Sequence, residues 1–142
     1  MMKLRDILQT KGSVVHTIAP SATLQDVANV LVEHNCGSLV VLDDGKLCGI
    51  ITERDILRAA AASHVPLADF SVRDHMTVKL VTGSLDEDLG EVMGQMTDHR
   101  IRHLPILEKG TLVGIISIGD VVKAQHDRLS MENHYLKNYI QG

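Results

Sequence analysis

Two short motifs in this chain place a hydroxyl and a carboxylate one helical turn apart. Thr52 precedes Asp55 by three residues, and Ser117 precedes Asp120 by three residues as well. Each pair follows a Gly-Ile-Ile run typical of a buried strand and begins a segment with helical spacing. A helix N-terminus attracts anions, and a carboxylate can accept hydrogen bonds from two vicinal sugar hydroxyls. The pattern therefore suits a ligand that carries both groups.

The same residues also have a purely structural interpretation. Ser and Thr are preferred N-caps, and an acidic residue in the first helical turn is favourable without any ligand. For a single copy of the motif this interpretation is the stronger one. Two copies behind the same Gly-Ile-Ile strand favour ligand binding in at least one of them.

The two motifs belong to an internal repeat. The offset that brings Gly49 onto Gly114 also brings Leu39 onto Leu104, and no gap is needed between residues 17 and 57. Each copy is predicted to run strand, helix, strand, strand, helix. In the first copy, the predicted strands are 14–18, 38–42 and 46–52, and an Asp-Gly turn separates the last two. One helix is predicted from the Thr23 capping box to His34, and a second helix follows the last strand and ends at Ala62.

A short lead-in helix is predicted before each copy, because the run 71–76 echoes 3–8. The predicted organisation is a first repeat with its lead-in over 1–62, a connector over 63–70, a second repeat over 71–125 and a helical tail over 126–142. The fold class is α+β. Each three-stranded sheet cannot bury both faces alone, so the two repeats are expected to pack with pseudo-twofold symmetry.

The composition limits the partners of such a fold. The 142 residues have a formal net charge of −4, one Phe, two Tyr and no Trp. Nucleic-acid binders need a broad positive surface or stacking aromatics, so no nucleic acid is expected. No apolar stretch approaches the roughly 18 residues of a membrane span, and the N-terminus lacks the apolar region of a signal peptide. No membrane association and a cytoplasmic location are therefore expected.

The remaining reactive residues have simple interpretations. Cys36 and Cys48 align with aliphatic residues of the other repeat, which makes them small core residues. His99 and His103 have i, i+4 spacing, but a helix end runs into a strand there and no further metal ligand is in register. No nucleophile pattern occurs, so neither a metal site nor an enzyme is expected.

The motifs taken in order resemble the CBS domain family. They are RDHMT (73–77), HRIRHLPIL (99–107), GIITERD (49–55) and GIISIGD (114–120). The resemblance covers about residues 2–125. It implies a tandem pair, or Bateman module, with two clefts between the repeats that take AMP, ADP, ATP, NAD or S-adenosylmethionine. In each cleft the Asp would accept hydrogen bonds from ribose hydroxyls, and the Thr or Ser would help to hold phosphate.

The resemblance also implies that each cleft uses residues of the opposite repeat. The residues expected around Asp120 are Ser117, Ile115, His16, Ile18, Cys36, Gly37 and Ser38. Those expected around Asp55 are Thr52, Ile50, Thr77, Val81, Ile101 and His103.

The two clefts are expected to differ in charge. By resemblance, Arg102 and His103 would contact the phosphates of a ligand held by Asp120, whereas the matching Gly37 and Ser38 carry no charge. Arg54, which aligns with a glycine, could supply a charge near Asp55. The alternative is that Arg102 and His103 form a solvated strand end.

The predicted function is a non-catalytic sensor of adenine nucleotides that acts on an unknown regulated protein. The alternative is an interaction module with empty clefts. The 24–33 helix is apolar on more than one face, which predicts a homodimer through helices of the repeats. Residues 130–140 either complete that dimer, cover a helix face or form a frayed terminus.

Overall fold

The computed structural model describes residues 2–141 and divides the chain into two compact units. One unit is the continuous segment Val14–Val81. The other combines the residues up to Ser13 with those from Thr82 onward. The fold is mixed α+β, as the sequence predicts.

The Val14–Val81 unit contains a three-stranded sheet with helices. Its elements are β1 (Thr17–Ile18), α2 (Leu24–His34), β2 (Ser38–Asp43), β3 (Lys46–Thr52), α3 (Glu53–Ala62), a 3-10 helix (Leu67–Asp69) and α4 (Val72–His75). The strand order is β1-β2-β3, with β1 parallel and β3 antiparallel to β2. The predicted capping box at the start of α2 is confirmed, since Thr23 Oγ1 accepts from Asp26 N and Asp26 Oδ2 accepts from Thr23 N.

The core of this unit is aliphatic and lies between the sheet and the helices. Its buried members are Leu24, Val27, Leu31, Leu39, Val41, Ile51, Ala59 and Val72. Both cysteines are half-buried against this cluster, and the Cys48 thiol lies 3.4 Å from the carbonyl oxygen of Val41. This placement agrees with their interpretation as small core residues.

The second unit repeats the arrangement with a smaller sheet. It contains α1 (Leu4–Lys11), α5 (Leu89–Asp98), β4 (His103–Glu108), β5 (Thr111–Ser117) and α6 (Ile118–Gln141). The prediction of a third strand is wrong here: the sheet has two strands, and the segment equivalent to β1 is reduced to one parallel bridge between Gly83 and Ile106. A Cβ on Gly83 would lie 2.9 Å from Leu104 and 3.0 Å from Leu4. Close approach requires glycine at this point, and glycine weakens a strand.

The lead-in helices are exchanged between the repeats. Helix α1, which precedes the first repeat, packs on the second, and α4, which precedes the second repeat, packs on the first. Helix α1 lies against β5 and α6, and Leu4 N donates to Glu87 O at 3.1 Å. In the other unit, Val72 N of α4 donates to Ala22 O at 2.8 Å. The compact units therefore group the chain differently from its sequence repeats.

Two glycines of the repeated strands make this packing possible. A Cβ on Gly114 would lie 2.8 Å from Leu8 of α1, and one on Gly49 would lie 2.7 Å from the Met76 sulfur and 3.0 Å from Thr77 O. These distances are too short for ordinary contact. The glycine of each Gly-Ile-Ile run thus lets a lead-in segment approach the strand.

Within residues 2–141, large apolar residues are exposed on three helices, namely α2, α6 and α3, where Leu57 is 68% exposed. On α2, Leu24, Val27 and Leu31 are buried, whereas Val32 is 82% exposed. Helix α6 continues through the predicted tail, and the amide of Gln125 within it lies 3.3 Å from the Met93 sulfur of α5. The exposed apolar residues beyond Gln125 are Leu129, Met131, Tyr135, Leu136, Tyr139 and Ile140. No helix within residues 2–141 is long and apolar enough to cross a bilayer.

Candidate functional site

The Asp55 site lies where β3 ends and α3 begins. Thr52 is the N-cap of α3. Asp55 Oδ2 accepts from Thr52 N at 2.9 Å and from Thr52 Oγ1 at 3.1 Å, and Asp55 N donates back to Thr52 Oγ1 at 3.3 Å. Gly37 and Ser38 stand beside this cap, because Glu53 N donates to Gly37 O and Ser38 pairs with Thr52 across the sheet. We use "Asp55 site" for Gly37, Ser38, Thr52 and Asp55.

The other repeat builds the same arrangement at the junction of β5 and α6. Asp120 Oδ2 accepts from Ser117 N at 2.8 Å, and Asp120 N donates to Ser117 Oγ at 3.1 Å. Ile118 N donates to Arg102 O, and His103 pairs with Ser117 across the sheet. Both motifs therefore form capping boxes, and both carboxylates remain only partly buried.

A lysine distinguishes the second arrangement from the first. Lys11, the last residue of α1, places Nζ 2.7 Å from Asp120 Oδ2 and 2.7 Å from the carbonyl oxygen of Ile115. The Lys11 side chain is 29% exposed and that of Asp120 is 24% exposed. No lysine or arginine among residues 2–141 makes an ion pair with Asp55. We use "Asp120 site" for Lys11, Arg102, His103, Ser117 and Asp120.

The ion pair changes the acidity of Asp120. Burial acts to raise the pKa of this carboxyl, but the hydrogen bond from Lys11 and those from Ser117 outweigh it. The pKa therefore lies below its ordinary value of 3.8. Asp120 is a carboxylate at neutral pH and accepts hydrogen bonds only.

The residues predicted to make the two clefts differ in charge lie at equivalent strand ends. Arg102 is exposed and His103 is half-buried at the start of β4, whereas Gly37 and Ser38 are half-buried at the equivalent place. Arg54 is exposed on α3 beside Asp55, without an ion pair in the part of the chain that the structure describes. The cationic Arg102 of one repeat thus corresponds to the uncharged Gly37 in the other.

Among the remaining predicted site residues, specific contacts are found for Ile50, Thr77 and His16. Ile50 and Thr77 exchange two backbone hydrogen bonds, of 3.0 and 2.8 Å, so β3 brings Thr77 near the Asp55 site. The ring of His16, just before β1, stacks on that of His34 with centroids 3.9 Å apart. Ile18 is in β1, Cys36 in the α2–β2 loop, Val81 before the Gly83 bridge, Ile101 in the α5–β4 loop and Ile115 in β5, all half-buried. The grouping of residues from both repeats in one cleft stays a prediction.

Lys11 is the residue that the sequence analysis did not single out. It lies in the lead-in, which the sequence assigns to the first repeat, while its partner Asp120 belongs to the second. The signal available was that each lead-in motif is followed, at the same count, by a lysine: Lys11 and Lys79. Among residues 2–141, no group of three or more His, Cys, Asp or Glu side chains is arranged to hold a metal ion.

Known proteins share this architecture. The chain is 35% identical over 148 residues to the mitochondrial CBS domain-containing protein CBSX3 of Arabidopsis thaliana, an alignment that covers 98% of this chain and 72% of that protein. The crystal structure of the CBS-domain containing protein ATU1752 from Agrobacterium tumefaciens matches with a TM-score of 0.84 at 40% identity, covering 87% of this chain and 99% of that one.

A third relative was solved with ligands. The CBS domain pair of protein MJ0100, in complex with 5'-methylthioadenosine and S-adenosyl-L-methionine, has a TM-score of 0.76 and 27% identity, over 90% of this chain and 98% of that one. The family model for the CBS domain matches twice, at residues 4–62 and 72–127. The chain therefore belongs to the CBS domain family, as a tandem pair of the Bateman type.

Proposed function

We propose that this protein is a non-catalytic regulatory module that binds adenosine-containing ligands. The ligands would be AMP, ADP, ATP or NAD, with S-adenosylmethionine as a further candidate, and occupancy would change how the protein docks on a regulated partner. The observation that carries the proposal is the duplicated strand–cap–carboxylate arrangement of Thr52/Asp55 and Ser117/Asp120.

The chemistry of these caps fits an adenosine ligand. Each carboxylate is fixed by its own capping box but has room for about four hydrogen bonds in all, so it can still accept from ribose hydroxyls. Hydrogen bonds to a charged group contribute about 1.5–3 kcal/mol each. The adjoining helix N-terminus and the exposed Arg102 favour phosphate. The complex of MJ0100 with two adenosyl compounds supports this class of ligand.

Aliphatic side chains would contact the adenine ring. The half-buried Ile18, Ile101 and Ile115 and the buried Ile50 are candidates, because the chain has no Trp and its single Phe packs elsewhere, against the Val14–Val81 core. No catalytic role follows from these residues, since they supply binding and orientation alone.

Thermal unfolding in the presence of each ligand tests the proposal. A ligand at one hundred times its dissociation constant adds about 2.7 kcal/mol to the free energy of unfolding. AMP, ADP, ATP, NAD and S-adenosylmethionine are compared, and at least one should raise the unfolding temperature. The Asp55→Ala/Asp120→Ala double variant is the control and should lose the shift. If none of the five changes the unfolding temperature, the alternative holds, and the protein is an interaction and dimerisation module with empty clefts.

A homodimer is the assembly that we propose for this module. Val32 is the observation in its favour: it is 82% exposed on a helix whose other apolar residues are buried or half-buried. A partner helix from a second copy would cover it.

A further inference from the structure

The two sites are built alike but differ by one cation. Both carboxylates accept a backbone N–H from their own N-cap residue, at 2.9 Å for Asp55 and 2.8 Å for Asp120. Lys11 adds an ammonium 2.7 Å from Asp120. Lys79, which follows its lead-in motif at the same count, is exposed and forms no ion pair within residues 2–141.

The cause of the difference lies in the lengths of the two lead-in helices. Helix α1 runs for eight residues and ends at Lys11, whereas α4 has four residues and ends before Met76. The longer helix carries Lys11 along β5 as far as Ile115, whose carbonyl oxygen it also reaches. Lys79 lies in a segment without helical or strand structure. The lysine contact is thus a consequence of helix length in one repeat.

We propose that Lys11 sets the charge of the ligand that the Asp120 site accepts, favouring phosphate-bearing adenosine compounds over neutral or cationic ones. This inference rests on the proposed function, since it concerns the selectivity of the same site. It assigns Lys11 as a specificity-determining residue and leaves the Asp55 site, with its uncompensated carboxylate, open to neutral or cationic adenosyl ligands.

Electrostatics gives the reason. A carboxylate that holds ribose hydroxyls lies within several ångströms of the 5'-phosphate, and at that range two like charges in a partly buried site repel strongly. The ammonium of Lys11 neutralises Asp120 and removes that repulsion. It also adds an attraction to the phosphate. For a cation such as the sulfonium of S-adenosylmethionine the signs are reversed: Asp120 attracts it and Lys11 repels it.

The ion pair does not block the anchoring role of Asp120. Lys11 and the Ser117 amide both contact Oδ2, and these two bonds leave about two further acceptor positions on the carboxylate. The lysine is a long, flexible side chain, so Nζ can move toward a phosphate while it stays near Asp120.

Calorimetric titration of variants tests the inference. AMP, adenosine and S-adenosylmethionine are titrated into Asp55→Ala protein, so that the heat reports the Asp120 site. In the Asp55→Ala background, Lys11→Met should lower the affinity for AMP about tenfold. The affinity for adenosine should change by no more than about twofold. The binding of S-adenosylmethionine should be unchanged or tighter. The AMP-to-adenosine affinity ratio is the decisive quantity, because a general loss of folded protein cancels in it.

Two further variants serve as controls. Lys11→Arg keeps the charge and should keep the ratio, whereas Lys79→Met should alter neither ligand. If Lys11→Met weakens AMP and adenosine equally, or tightens AMP, the lysine has a structural or blocking role and the inference is wrong while the proposed function stands. If the wild-type chain binds none of the three ligands, both the proposed function and this inference are wrong.

Discussion

Nζ of Lys11 and Oδ2 of Asp120 lie 2.7 Å apart, although the two residues are at opposite ends of the chain. The contact joins the end of α1 to the start of α6, in the unit that combines both chain ends. It therefore fastens the lead-in helix to the repeat on which it packs. It also places a cation at one of the two carboxylates that we propose as ligand anchors.

The stabilisation by this ion pair should depend on pH. The pKa of Asp120 is depressed in the folded protein, so its contribution is present above the ordinary value and is lost as the pH falls through the folded value. Because both side chains are partly exposed, Lys11→Met should lower the free energy of unfolding by at most about 1 kcal/mol at neutral pH. Urea unfolding from about pH 7 down to about pH 2 should show this difference shrinking below about pH 4. Lys79→Met is the control, and a pH-independent difference would contradict the assignment.

Alanine at the strand glycines should destabilise the fold. A Cβ on Gly114 would meet buried Leu8 at 2.8 Å, and one on Gly49 would meet the Thr77 carbonyl oxygen at 3.0 Å as well as Met76. Overpacking of this kind costs about 1–3 kcal/mol. Gly94→Ala in α5 is the matched control, since nothing lies within 4 Å of its added Cβ. It should stabilise by about 0.5–1 kcal/mol. Denaturant unfolding checks all three, and a neutral Gly114→Ala would show that α1 can move away.

Removal of one anchor should affect the two sites unequally. Asp120→Ala should weaken AMP by about tenfold to a hundredfold, as expected for about 1.5–3 kcal/mol, and Asp55→Ala should leave the tighter binding event largely intact. The basis is the cationic set beside Asp120, which the Asp55 site lacks. Calorimetric titration decides the order, and loss of the tighter event in Asp55→Ala alone would reverse it.

A third capping box provides the control for this experiment. Asp26 caps α2 with the same geometry as the two anchors, at 2.9 Å from Thr23 N, but it lies outside both sites. Asp26→Ala should lower stability by about 1 kcal/mol without any change in AMP affinity. An equal loss of affinity in Asp26→Ala and Asp120→Ala would show that Asp120 is only a helix cap.

Arg102 should discriminate between phosphorylated and unphosphorylated ligands. The residue is exposed at the start of β4, next to the β-pairing of His103 with Ser117. A charge-assisted contact from Arg to phosphate is about twice as strong as a neutral hydrogen bond, so Arg102→Ala should weaken AMP far more than adenosine. Equal affinities for wild type and Arg102→Ala would make this arginine part of a solvated strand end.

The oligomeric state should respond to Val32. Sedimentation at micromolar concentration should give twice the 15.5 kDa chain mass, and Val32→Glu should shift the species toward monomer, because the charge would be buried in the interface. The substitution should not unfold the chain, since this side chain is 82% exposed. Thr97→Glu, at the equivalent position of α5, is the control. A wild-type monomer contradicts the dimer, and a dimeric Val32→Glu would move the interface to another face, such as α6.

The sequence by itself determined most of the helices and strands and the two capped carboxylates, Asp55 and Asp120. The signals that predicted these features are local and act over a few residues. They are the hydrophobic period, the Asp-Gly turn and the helix caps at Thr23, Thr52 and Ser117, and all of them appear in the structure. The internal repeat then assigned equivalent roles to Asp55 and Asp120. Local pattern failed at the first strand of each repeat: the strand predicted over 14–18 is reduced to Thr17–Ile18, and at Gly83, close to Leu4 and Leu104, its counterpart is a single bridge.

The tertiary structure alone decided which lead-in helix serves which repeat, and hence that Lys11 meets Asp120. Both lead-in motifs have the same pattern, so their residues do not specify whether they fold onto the near or the far repeat. The choice depends on non-local packing. Leu8 fills the space over Gly114, and Met76 fills the space over Gly49. The length of α1 then determines that its last residue, Lys11, lies next to Asp120. A long, flexible lysine carries no local signal for its partner, because only the folded chain brings a carboxylate within its reach.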